Sequence, residues 1–155
     1  MSYDYSENIL VQESAGNLLR DELGWDVRFA YNTEILGKNG TFGKESYHEI
    51  LLLRYFREAL KKLNPWMNDN QISEAQKVLE NRLSTSSLLQ VNEEKYFLIR
   101  DGISVTVKKP NGQTETKKAA VIDFQNPDNN YFLAVKELKI HGDLYRRRTD
   151  IVGFV

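Results

Sequence analysis

The chain reads as an α+β domain in which helices come first and a mainly antiparallel or mixed sheet follows. Three observations carry this. Apolar residues recur at helical spacing in four stretches up to about residue 100. From Ile103 onward they alternate instead. Turn-forming pairs and triplets such as Pro110-Asn111-Gly112 and Gly142-Asp143 then punctuate the rest. A length of 155 residues suits one domain, residues 1–155, with a sizeable core.

Residues 6–23 predict the first helix, with Val11, Ala15, Leu18, Leu19 and Leu23 on one face, Ser6 as N-cap and Gly24 just beyond the end. Residues 25–31 alternate as a short strand, and the three glycines of 37–43 predict a mobile loop. A second helix is expected over 44–63, with a stripe of Leu52, Tyr55, Phe56, Ala59, Leu60 and Leu63. It ends at Asn64-Pro65, because a residue before proline is driven out of the α region. A third helix is expected over 69–83, capped by Asn68 or Asp69. A fourth runs over 87–100 and is terminated by Gly102. Ile103–Val107 and Ala119–Phe124 then predict a hairpin, Asn126–Asn130 a turn, Tyr131–Ile140 a third strand and Asp150–Val155 a last one.

Composition sets limits on function. Hydrophobic residues are 41% and charged residues 28%, ordinary for a soluble globular protein. A net charge of −1 excludes a global basic field, so any nucleic-acid contact must come from a local patch. The absence of cysteine excludes disulfides, thiolate metal sites and thiol catalysis, and fits a reducing cytoplasm. The polar, acidic start Met1–Glu7 does not resemble a signal peptide, and no window approaches the length of an apolar membrane span.

The richest chemistry lies in Arg146-Arg147-Arg148-Thr149-Asp150, which leads into an apolar strand. Asp150 fits two readings: a solvated residue at a strand start, or a hard oxygen ligand for Mg²⁺. The three arginines fit a charged sheet edge or a set of phosphate contacts beside such a site. Glu13, on the side of the first helix shared by Ile9, Gly16 and Arg20, is either solvated or placed to orient a metal-bound water. His48 and His141 sit in no metal-binding motif, and no dinucleotide, phosphate-loop or metalloprotease motif is present.

Several segments together resemble a known family. Ala120–Phe132 is similar to the pattern IDF-x-NP-x-NN-x-F, and Arg147–Val155 to RRPD-I-x-x-FV. Ala59–Pro65 and Leu98–Ile103 are similar to two further segments of the N-terminal region of the restriction (motor) subunit of Type I restriction-modification enzymes. The resemblance covers nearly the whole chain. It implies a nuclease domain of the PD-(D/E)-x-K superfamily, in which Asp150 matches the first Asp and is the metal ligand, Glu13 matches a helical Glu, and Thr149 stands where proline is usual. It also implies a Glu-x-Lys strand, an ATP-driven motor and a subunit-docking region beyond Val155, so the present chain is expected to bind Mg²⁺ poorly and not to cleave. The implied partners are double-stranded DNA and the modification and specificity subunits, in the cytoplasm. A non-catalytic module that binds DNA or subunits, or an unrelated structural domain, are the other readings.

Overall fold

A computed structural model describes residues 7–81 and 87–155. The expected Ser6 cap and the expected end of the third helix at residue 83 lie outside these. The α+β class holds. In chain order the elements are α1 (Glu7–Asp21), β1 (Asp26–Phe29), α2 (Leu53–Leu63), α3 (Asp69–Glu80), α4 (Leu88–Asp101), β2 (Ile103–Lys108), β3 (Thr114–Ala119), β4 (Leu133–Lys136), β5 (Lys139–His141), β6 (Arg146–Arg148) and β7 (Ile151–Phe154). They form two compact units, one of residues up to 52 together with 131–155, the other of Leu53–Asn130.

The first unit is built on a three-stranded mixed sheet of order β1-β4-β7. β4 runs parallel to β1 and antiparallel to β7. Its Leu133, Ala134 and Val135 are wholly buried, as expected of a central strand. The strand expected over 131–140 is broken at Glu137, which adopts a left-handed φ of 59°. The pairing nevertheless continues: Lys136 faces Ile151, and Lys139 faces Arg148 with no residue inserted on either side. The Glu137 N–H donates to the Asp150 carbonyl, and the Thr149 N–H to the Leu138 carbonyl, both at 3.0 Å. β4–β5 and β6–β7 therefore make one long antiparallel ribbon that turns at residues 142–145. Arg146–Arg148 were not expected to form a strand. Three consecutive cations show no alternation, and it is the pairing with β5 that makes them one.

α1 packs on β1 and β4, but not by the expected face. Val11, Leu18 and Leu23 are exposed. The line turned inward is Gln12, Ala15, Gly16 and Leu19. Gly16 explains the choice. A Cβ there would lie 3.3 Å from the Lys136 Cδ and 3.6 Å from the Val27 Cγ1, so glycine lets the helix sit close on the strands.

The second helix is shorter than expected. Residues 44–52 are irregular because polar side chains capture backbone groups: Ser46 Oγ accepts from the His48 N–H and the Glu49 carboxylate from the Glu45 N–H. The 37–43 loop is pinned rather than open. Phe42 is buried, Thr41 and Ile35 exchange hydrogen bonds, and the Gly37 N–H donates to the Lys44 carbonyl at 2.6 Å.

In the second unit Phe56 and Leu60 of α2 and Ile72 and Ala75 of α3 are buried; α2 packs on α3, and α3 on β2, whose Ile103 and Val105 are buried. Capping boxes at Asn68 and Ser87 start α3 and α4. The hairpin's return strand is the polar β3, not residues 119–124. Those residues instead enter a self-bonded loop. The Asp123 carboxylate accepts from the Gln125 and Asn126 N–H groups and from the Asn129 amide, and the Asn130 side chain closes on the Asp123 backbone. The Asn129 amide and the Asn126 N–H hold the Asp123 carboxyl below the usual carboxylate range.

Asn64, buried to 3% exposure, donates to the Ala120 carbonyl and accepts from the Ala120 N–H, each at 2.8 Å. The Leu-Asn-Pro segment is thereby tied to the start of the Asp123 loop. Asn64→Ala should cost about 2–3 kcal/mol of stability in urea denaturation, since it orphans both backbone groups. An unchanged midpoint would refute this role.

Candidate functional site

Asp150 stands where the ribbon passes from β6 to β7, at the mouth of β7. Its side chain is exposed. One carboxylate oxygen accepts from the Gln12 amide of α1 at 3.1 Å, and the other has no partner among the described residues. The backbone is fixed from both sides, by Glu137 across the ribbon and by Thr149, whose N–H and hydroxyl both reach the Leu138 carbonyl. Thr149 thus uses a donor that a proline in its place could not supply. The helix and the sheet together aim one carboxylate outward with one free oxygen.

Glu13 is the next residue along α1 from Gln12 and is exposed. The structure joins Gln12, not Glu13, to Asp150. Glu137 lies directly across the ribbon and pairs with Arg148 at 2.6 Å. Arg148 also stacks over Tyr31 at 4.5 Å, and Arg147 over Tyr145 at 5.3 Å. The three arginines are therefore not one patch. Arg148 is held by a carboxylate and a ring, Arg147 by a ring, and Arg146 turns into a cavity with His141 and His48. Gln12 and Glu137 were missed from sequence because their roles arise from contacts 138 and 13 residues away, and no local pattern marks them.

An exposed carboxylate with an open oxygen fits one ligand of a magnesium site, since that ion takes one or two carboxylates and keeps several waters. Among the described residues no three of His, Asp and Glu converge to make a fuller set.

A buried ion pair lies beside β5 of the same ribbon. Lys44 Nζ lies 3.4 Å from Glu34, with side chains 1% and 3% exposed, and 3.4 Å from the Lys139 carbonyl of β5. The Glu34 oxygens accept no well-directed hydrogen bond, so the pair rests on charge. It locks the 30–52 segment against the ribbon.

A family model described as Type I restriction enzyme R protein N terminus matches residues 4–155. The chain belongs to that family. It is 30% identical over 134 residues to the Type I restriction enzyme HindI endonuclease subunit of Haemophilus influenzae, covering 86% of this chain and 12% of that protein. It is 26% identical over 115 residues to a Methanocaldococcus jannaschii protein that carries the name of the type I restriction enzyme MjaIXP endonuclease subunit, covering 72% of this chain and 11% of the relative. The chain thus spans about an eighth or less of the length of these relatives. No solved structure gives a significant match. No described helix is long and apolar enough to cross a membrane.

Two outcomes test the scaffold of the site. Lys44→Met should lose about 3–5 kcal/mol, because it leaves Glu34 buried and unpaired, whereas the double variant Glu34→Met/Lys44→Met should recover most of it; equal losses in urea melts would show the pair is not coupled. Glu137→Ala and Glu137→Gly both remove the Arg148 contact, so their difference reports the backbone alone. The glycine variant should be the more stable by about 1 kcal/mol, because only glycine adopts a left-handed φ without a Cβ clash.

Proposed function

We propose that this chain is the first part of the endonuclease domain of a Type I restriction subunit and that Asp150 is its metal-binding carboxylate. The observation that carries the reading is the Asp150 carboxylate itself, held by Gln12 at the mouth of β7 with one oxygen open. Its place in the Arg-Arg-Thr-Asp segment matches the family pattern. β7 is an outer strand of its sheet among the described residues, so a further strand carrying the family's Glu-x-Lys pair can add alongside it.

In that site Asp150 would hold Mg²⁺ together with the missing carboxylate. A bound Mg²⁺ makes a water nucleophilic near neutral pH and stabilises charge on phosphate oxygens. This chain's own contributions are simpler. Gln12 holds the carboxylate of Asp150, Glu137 and Thr149 fix its backbone, and Glu13, the exposed residue next to Gln12 on α1, would orient solvent. The chain alone supplies one ligand, so it does not cleave. The full subunit acts in the cytoplasm on double-stranded DNA, with modification and specificity subunits, and its ATP-driven motor lies outside this chain.

A second reading, subunit docking, is favoured by one observation. α4 buries no residue, and its Leu88 and Leu89 are 83% and 78% exposed. The two roles are compatible, and different variants separate them.

Asp150→Ala in the full-length subunit, assembled with its partners, ATP and unmodified DNA, should lower cleavage by at least about 100-fold, a loss no smaller than that from disturbing a ligand's outer partners. ATP hydrolysis should be unchanged. Cleavage at the normal rate would refute the assignment. Loss of assembly on Leu88→Ser/Leu89→Ser would establish docking as a function of α4.

A further inference from the structure

We propose that the pocket between His48, His141 and Arg146 binds a phosphate group of a DNA backbone, a site distinct from Asp150 that rests on the nuclease reading above for the source of its ligand. The pocket has a volume of about 210 Å³ and is lined by these three residues and the 142–145 turn. That is room for a phosphate and several waters, at ~30 Å³ for each water. All of its lining belongs to one compact unit.

The lining is built rather than incidental. The β5–β6 pairing sets Arg146 directly opposite His141, so the two share a face of the ribbon. The His141 N–H donates to the Tyr47 carbonyl at 2.9 Å, which fastens the 44–52 segment to β5. His48 is thereby brought edge-on to His141, with ring centroids 5.7 Å apart at 81°. Tyr47 covers the other side of the His141 ring, with centroids at 4.9 Å. The buried Lys44–Glu34 pair lies behind, and the Lys44 ammonium stands 5.6 Å from the Tyr47 ring.

The electrostatics select an anion. His141 is held below the usual histidine range, first by desolvation and then by Arg146, His48, Lys139 and Lys44. Beside the imidazole of His48, each of these neighbours is a cation. Asp143 is the one carboxylate in the lining, and it is exposed on the turn. Two imidazoles are also donors for a divalent metal, but no third His, Asp or Glu completes a set among the described residues, and Arg146 repels a cation. A guanidinium flanked by two imidazole N–H donors instead matches phosphate oxygens in charge and in hydrogen bonding. An anion seated there would offset the cationic field that, after desolvation, holds His141 below its usual range. Binding should therefore strengthen as pH falls through the histidine range.

The test follows the imidazole proton resonances of this 155-residue protein during titration with inorganic phosphate, against chloride at equal ionic strength. Phosphate should shift both His48 and His141 saturably and raise the His141 titration midpoint by about one pH unit; chloride should not. Arg146→Gln should abolish the response, and Arg147→Gln, outside the pocket, should keep it. Wild-type resonances that respond alike to phosphate and chloride overturn the proposal, as does an undiminished response in Arg146→Gln. A short DNA duplex in place of phosphate should reproduce the shifts, and Arg146→Gln should lower the salt dependence of duplex binding by about one unit of slope. Response to phosphate but not to duplex would overturn the DNA assignment and leave a free-phosphate site. The cleavage result with Asp150→Ala is independent of all these outcomes.

Discussion

Everything that positions Asp150 depends on strand β4. It is the one strand of its sheet that pairs on both sides, and its Leu133, Ala134 and Val135 are wholly buried. Parallel pairing with β1 cannot be closed by a tight turn, so residues 30–132 serve as one long crossover. Antiparallel pairing with β7 then returns the chain beside β4. The first strand of the chain and the last are neighbours of the same central strand, and α1 lies over β1 and β4. That is how Gln12 reaches a carboxylate 138 residues later.

Within each unit polar residues fix the geometry at a few places where hydrophobic packing alone would leave a choice. Asn64 ties the end of α2 to Ala120. Asp123 and Asn130 close the loop before β4 on itself. Glu34 and Lys44 tie an irregular segment to β5. Asn64 is buried and satisfied, the Asp123–Asn130 loop is bonded to itself and Lys44 is paired with Glu34, so each of these admits few alternative geometries. The Leu-Asn-Pro and Ile-Asp-Phe segments that carry much of the family resemblance are of this kind. Their recognisable residues shape the scaffold, whereas Asp150 stands exposed at the mouth of β7.

The ribbon formed by β4–β5 and β6–β7 has two ends with different characters. Near Glu137 and Asp150 it twists, through a left-handed residue, and presents a carboxylate. Near the 142–145 turn it presents Arg146 and two histidines. Successive residues of a strand point to opposite faces, so Arg147 is parted from Arg146 and Arg148, and each of the three meets its own surroundings. A run of like charge in sequence has become a held cation, a stacked cation and a pocket cation.

Much of this was legible in the sequence. Helical periodicity located α2, α3 and α4 and Asn68 announced the cap of α3, because these signals are local and rest on backbone propensity and spacing, while the resemblance of the Arg-Arg-Thr-Asp segment to the family pattern singled out Asp150. Other features had no local signal. Residues 44–52 have helix-compatible spacing but lose it to Ser46, Glu49 and the burial of Lys44. α1 turns its glycine inward rather than its leucines, because close approach to Lys136 and Val27 governs its packing. β6 is a strand only because β5 lies beside it. The sequence by itself determined which segments could be helices and which carboxylate stands at the head of the last strand. Only the tertiary structure decided that Gln12 holds that carboxylate and that His48 meets His141 and Arg146, because contacts between residues so far apart in the chain are set by strand pairing and burial.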